Sequence, residues 1–298
     1  HAVIVSTVHH KDEIGLPEDK YPTLKYNSPQ NKEGEWQFRI QVSPDDCTGC
    51  GVCFNVCPGK KGEKALEMVP KEEILEDWRE SYQEYLKHPY APEQFVNDKA
   101  VRNATLAKPL FEFSGACPGC GETPYVKVMT LLQGDRMIQA NATGCSSIYG
   151  GTAPTIPFCK NERGEGPAWG NSLFEDNAEY GLGMRLAVDH LNTLAFQLKD
   201  QLLPKASGDL KQVLEAIATI DEQRADQEAF TRTKVAVDKL KELLKGAADG
   251  TPEAELLEHV SYLKYKAVWI VGGDGWAYDI GYGGLDHTIA SGLDVNLL

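Results

Sequence analysis

The chain has 298 residues, 42% of them hydrophobic and 25% charged, with eight cysteines and a formal net charge of −14. That length is enough for two domains with ample core, and the composition is that of a globular protein. The acidic balance argues against a nucleic-acid surface, and no apolar run of about 18 residues is present to span a membrane.

No signal peptide is visible, because Ala2 to Val5 is too short an apolar stretch. The chain opens on His1 and closes on Val295 to Leu298, which reads as the middle of a strand. Both ends are therefore expected to be cuts in a longer polypeptide. Cysteines mostly in metal-ligand spacing point to a reducing compartment rather than a disulfide framework.

Residues 1–35 are polar and broken by Pro17, Pro22 and Pro29, and read as extended, irregular chain. Trp36 to Val42 alternates apolar and polar and predicts a strand. Then comes Cys47-Thr-Gly-Cys50-Gly-Val-Cys53-Phe-Asn-Val-Cys57-Pro58. Three cysteines at this spacing wrap one face of a [4Fe–4S] cube, and in two-cluster ferredoxins the fourth ligates the neighbouring cluster. Zinc is the rival. No second such run follows, so the partner motif is expected upstream of His1. Lys64 to Val69 reads as a strand covering the cluster. Residues 70–109 read as a linker carrying one amphipathic helix, with Trp78, Tyr82 and Tyr85 as packing residues.

Cys117-Pro-Gly-Cys120-Gly-Glu122 and Asn141-Ala-Thr143-Gly-Cys145-Ser-Ser place three more cysteines in two glycine-rich turns. A helix over 124–132 and a strand over 137–140 lie between them. Three thiolates are one short of a cluster's usual four. Structural zinc, a thioredoxin-like Cys117–Cys120 pair and plain buried thiols are the alternatives. Cys159 has no partner spacing and reads as a free thiol.

Gly164 to Gly183 reads as an ordered loop leading to a helix near Asn177. Residues 184–262 read as exposed helices broken at Pro204, Ser207–Gly208 and 246–252. Ala267 to Val271 is a buried-type strand feeding Gly272-Gly273-Asp274-Gly275-Trp276. A carboxylate and backbone amides at a sheet's carboxyl edge can hold a divalent cation and a pyrophosphate, and a bare structural turn is the alternative. His287 reads as a helix-face residue.

Taken together, these strings, with Gly166-Pro-Ala-Trp-Gly-Asn-Ser-Leu-Phe-Glu-Asp176 and Tyr278-Asp-Ile-Gly-Tyr-Gly-Gly-Leu-Asp-His287, resemble the pyruvate:ferredoxin oxidoreductase family in the same order along nearly the whole chain. The resemblance implies an α/β protein: a small ferredoxin-like α+β cluster domain and linker over 1–108, then an incomplete doubly wound thiamine pyrophosphate-binding domain over 109–298 with a helical insert at about 184–262. It implies oxidative decarboxylation of pyruvate with coenzyme A on thiamine pyrophosphate, electrons passing through [4Fe–4S] clusters to ferredoxin or flavodoxin.

By that resemblance Cys47, Cys50 and Cys53 hold one cluster, Cys57 serves its neighbour, and Cys117, Cys120 and Cys145 hold the cluster nearest thiamine. Glu122, Cys145, Gly273, Asp274, Gly275 and Trp276 contact the thiamine cofactor, with Asp274 on Mg²⁺. The family's remaining Mg²⁺ ligands, fourth cluster cysteine, pyruvate-binding residues and aminopyrimidine-activating glutamate have no counterpart in these residues. The chain alone is therefore expected not to turn over, and the remainder of the parent chain, a homodimer and a cytoplasmic or hydrogenosome-like location are expected. An electron-relay subunit of another 2-oxoacid oxidoreductase complex, without its own substrate site, is the second reading.

Overall fold

Trp36–Val42 does form a strand, β3, and it is the centre of a three-stranded antiparallel sheet in the computed structural model, which describes residues 4–60, 62–96 and 101–298. Its neighbours are β1 (Ile4–His10) and the two-residue β2 (Leu24–Lys25), in the order β1-β3-β2. β1 corrects the expectation of irregular chain. Its seven residues pair one to one with β3, from Ile4 opposite Val42 to His10 opposite Trp36. Polar Ser6 and Thr7 mask the alternation, and the strand exists because a partner satisfies its backbone. Val8, Tyr26, Phe95 and Leu106 form the core beneath, with Phe95 edge-on to Tyr26 and Trp36 at 5.1 and 5.0 Å.

After β3 come a short helix α1 (Val52–Val56) and the amphipathic α2 (Lys71–Lys87). Lys64 to Val69 is not a strand. The segment is mostly exposed and pairs with no strand among the described residues, so nothing completes a ladder. Helix α2 packs on β3. Tyr85 is buried with Tyr82 stacked on it at 5.6 Å, as packing residues should be. α3 (Val101–Ala104) and α4 (Thr123–Gln133) follow, α4 where its apolar spacing placed it.

A second, wholly parallel sheet contains β4 (Met137–Ala142), β5 (Ala168–Ser172), β6 (Ala267–Val271) and β7 (Val295–Leu297), ordered β5-β4-β6-β7. β4 outruns its expected end by two residues and leads into α5 (Cys145–Gly151). β5 lies inside the expected loop. Its Gly and Asn hide a strand that exists by pairing with β4 in register.

The helices are α6 (Asn177–Leu202), α7 (Gly208–Ala216), α8 (Ile220–Ala225), α9 (Gln227–Leu244), α10 (Pro252–His259) and α11 (Tyr282–Ala290). α6 crosses the sheet, and its C-terminal half joins α7, α9 and α10 around Leu198, Leu214, Leu240 and Leu256. Thr219 and Glu222 form a capping box, Asp226 caps α9, and Thr251 followed by Pro252 starts α10.

Backbone contacts divide the chain into two units, His1–Asp135 with Ile148–Gly166, and Arg136–Ser147 with Pro167–Leu298. The architecture is the mixed α/β one expected: a small antiparallel sheet with a cysteine-rich turn, and a parallel sheet flanked by helices.

Candidate cluster and cofactor sites

In the first unit, Cys47, Cys50 and Cys53 line one cavity of about 530 Å³, whose lining also includes Phe113 to Ala116 and Pro118. Gly49 and Gly51 turn the chain through φ of +68° and +72°, conformations that side chains resist. Gly51 then begins α1, which carries Cys53 on its first turn. No disulfide links any of the eight cysteines. Among the described residues, no three Cys, His, Asp or Glu side chains close on a single ion. Three thiols lining one cavity are the donor type that iron–sulfur clusters and structural zinc both take.

Cys57 sits differently. The Ala65 amide donates to its Sγ at 3.4 Å, and this bond, then those from Gly59 and Leu66, with Lys64 nearby, hold the thiol below its ordinary value. The tight turn that supplies these amides needs Gly59, where a Cβ would stand 1.9 Å from the Glu63 carbonyl. Lys64 also donates to the Phe54 and Asn55 carbonyls at the end of α1, at 2.5 and 3.0 Å.

Cys117 and Cys120 belong to this unit, in a turn closed by the Cys120 amide bonding the Cys117 carbonyl at 3.0 Å. Glu122 immediately precedes α4. Cys159 is half-buried, and burial followed by the nearby Glu112 carboxylate pushes its thiol up to about 11.

The second unit contains Cys145, exposed at the start of α5. In the order β5-β4-β6-β7 the connections leave β4 and β6 in opposite directions, so their carboxyl ends flank a switch-point crevice. The Thr143–Cys145 turn follows β4 and the Gly272–Trp276 segment follows β6, so both motifs open at that crevice. Thr143, Gly144, Cys145, Gly273 and Asp274 are exposed there, while Trp276 is buried.

Side-chain hydrogen bonds, those of buried Asn141 among them, fix the turn after β4. Asn141 donates to the Ala142 carbonyl at 2.8 Å and to Ser146 Oγ at 3.1 Å, and accepts from Gln139 at 3.0 Å. Thr143 donates through its amide and hydroxyl to the Ser172 carbonyl, at 3.0 and 2.7 Å. Ser147 Oγ accepts from the Gly144 amide at 2.8 Å and donates to the Gly144 carbonyl.

Gly275–Asp279 is a π-helical turn rather than a plain glycine loop. The amides that open such a turn have no partner within it. No neighbour lies within 4 Å of where a Cβ would stand on Gly273 or Gly275. Open space, one exposed carboxylate and the first amides of the turn, of which that of Ala277 is bonded to the Gly273 carbonyl at 3.1 Å, are features a pyrophosphate with its cation would use. His287 is exposed on α11. Asn177, Ser172 and Glu112 carry no sequence signature and emerge only from the packing.

The 4Fe-4S binding domain family model matches residues 40–60. The pyruvate-flavodoxin oxidoreductase of Trichormus variabilis is 44% identical over 308 residues, covering 100% of this chain and 25% of that protein. That of Rhodospirillum rubrum is 49% identical over 265 residues, covering 88% of this chain and 22% of it. The pyruvate:ferredoxin oxidoreductase of Moorella thermoacetica is 50% identical over 273 residues, again covering 88% and 22%. The chain therefore spans about a quarter of the length of these curated relatives. No helix among the described residues is long and apolar enough to cross a membrane.

Proposed function

We propose that this chain, homologous along its length to about a quarter of the pyruvate-flavodoxin and pyruvate:ferredoxin oxidoreductases, is the cluster- and cofactor-binding part of such an enzyme. In this reading the parent protein converts pyruvate and coenzyme A to acetyl-CoA and CO₂, passing two electrons to ferredoxin or flavodoxin. The observation that carries it is the coexistence, in one chain this similar to those relatives, of a four-cysteine cluster motif and a switch-point crevice ending in Asp274.

Thiamine pyrophosphate, when bound, supplies the electron sink that stabilises the charge left as CO₂ departs. The chain's own residues hold and orient. Gly273, Gly275 and Trp276 offer backbone to the pyrophosphate, and Asp274 offers its carboxylate to Mg²⁺. Asn141 and Thr143 fix the turn carrying Cys145. That turn and Glu122 are assigned contacts with thiamine.

Cys47, Cys50 and Cys53 are assigned to one [4Fe–4S] cluster and Cys57 to its neighbour. Cys117, Cys120 and Cys145 are assigned as further iron ligands. The test is purification of the full natural polypeptide without air. Iron and acid-labile sulfide, with flavodoxin or ferredoxin reduction that requires pyruvate, coenzyme A and thiamine pyrophosphate together, are expected. A colourless protein without sulfide overturns the reading.

A further inference from the structure

Among the described residues only two that are not glycine have a left-handed backbone: Tyr90 at φ +75° and Phe113 at φ +53°. Bulky side chains avoid this region, and such a residue persists only where its surroundings impose it. The two positions are tied together. The Tyr90 hydroxyl donates to Glu112 Oε1, directly before Phe113.

The other oxygen of Glu112, Oε2, faces the Cys159 thiol at 3.8 Å, and the Glu112 amide donates to the Pro157 carbonyl at 2.9 Å. Phe111 pairs with Phe158 beside it. Lys108 lies over the Tyr90 ring at 5.9 Å, and Lys127 also feels the Glu112 carboxylate.

The Phe113 ring itself is 40% exposed, so its own packing does not dictate its backbone. The residue before it is what is held, on both carboxylate oxygens and through its amide. Immediately after it, Phe113 to Ala116 form part of the wall of the cavity that Cys47, Cys50 and Cys53 also line.

We propose that Glu112, clamped by Tyr90, is a positioning residue that sets this wall and thereby the water access and reduction potential of the cluster held by Cys47, Cys50 and Cys53. The inference rests on the cluster reading given above. Reduction adds negative charge to an already anionic cluster, and water favours the more highly charged form. Loosening the wall therefore raises the potential.

The test is a redox titration of the full natural polypeptide, followed by electron paramagnetic resonance of the signal that Cys47→Ala removes. In Tyr90→Phe and Glu112→Ala, iron and sulfide stay at the wild-type level. The midpoint rises in both, by about tenfold in the reduction equilibrium. Glu112→Gln, which keeps an acceptor for Tyr90, stays near the wild type. The double variant Tyr90→Phe with Glu112→Ala moves no further than either single change. If Glu112→Ala does not fold, Tyr90→Phe decides alone, since it keeps the ring and removes only the hydroxyl. Loaded clusters with unchanged midpoints overturn the inference. Absence of iron and sulfide from the wild type overturns the cluster reading instead.

Discussion

The side-chain amide of Asn177 donates to the Val271 carbonyl at 3.1 Å, from a fully buried position at the start of α6. Its oxygen accepts from the Ser172 hydroxyl, also at 3.1 Å. One residue thus ties the carboxyl ends of β5 and β6, the strands on either side of β4. Asn177→Ala takes this donor from the Val271 carbonyl, while the Ser172 hydroxyl keeps the Leu173 carbonyl at 3.1 Å, and should cost about 1–3 kcal/mol. Asn177→Asp keeps the acceptor but sets a carboxylate against a carbonyl, and should cost at least as much. Urea unfolding checks both, and a loss below about 1 kcal/mol would remove Asn177 from this role.

α6 lies directly on the sheet at Gly181. A Cβ there would stand 2.4 and 2.6 Å from Ile270 side-chain atoms and 3.2 Å from Ala140. Alanine gains about 1 kcal/mol in helix propensity but meets an overpacking penalty of about 1–3 kcal/mol. Net destabilisation is expected for Gly181→Ala. Gly183, on the same helix with nothing within 4 Å of its Cβ position, is the control. Gly183→Ala should stabilise by about 0.5–1 kcal/mol. Opposite signs in thermal melts are the diagnostic result.

His9 is buried against Tyr21, and its Nε2 has no partner among the described residues. Burial first, with His88 and Arg39 adding and Glu13 and Glu84 opposing, lowers its pKa below 6.5. A lowered histidine is neutral when folded and takes up a proton on unfolding. Its contribution is complete above pH 6.5 and falls away as pH drops toward the folded value, with a slope of at most about 1.4 kcal/mol per pH unit. His9→Phe should flatten stability against pH between 5 and 7. An unchanged slope would assign the dependence elsewhere.

Thiol reactivity should separate the cysteines. With Cys159 raised to about 11 by burial and the Glu112 charge, well under 1% is thiolate near neutral pH. In iron-free protein, iodoacetamide followed by peptide mass mapping should label the exposed Cys50 and Cys145 well before Cys159. Early modification of Cys159 would contradict this placement.

Asp274 is the exposed carboxylate beside the amides that open the π-turn. In the full natural polypeptide, Asp274→Ala should weaken Mg²⁺-dependent binding of thiamine pyrophosphate by tenfold or more, about 1.4 kcal/mol. Calorimetry measures it, and an unaltered affinity would place the cation elsewhere.

Much of this protein is local and therefore readable from the chain. The cysteine spacing with Pro58, the apolar run of β6, and the periodicity of α2, α4 and α6 are each set by neighbours a few residues away. Three features are not. β1 and β5 carry polar and glycine-rich strings, and they are strands only because β3 and β4 offer a ladder. Lys64–Val69 has strand-like residues and no ladder to join.

The order β5-β4-β6-β7 brings residues more than 120 positions apart to one crevice, which no local pattern encodes. The bond between Tyr90 and Glu112 is of the same kind. Side-chain chemistry was written in sequence, while backbone pairing and burial, being satisfied by distant partners, were decided by the tertiary structure.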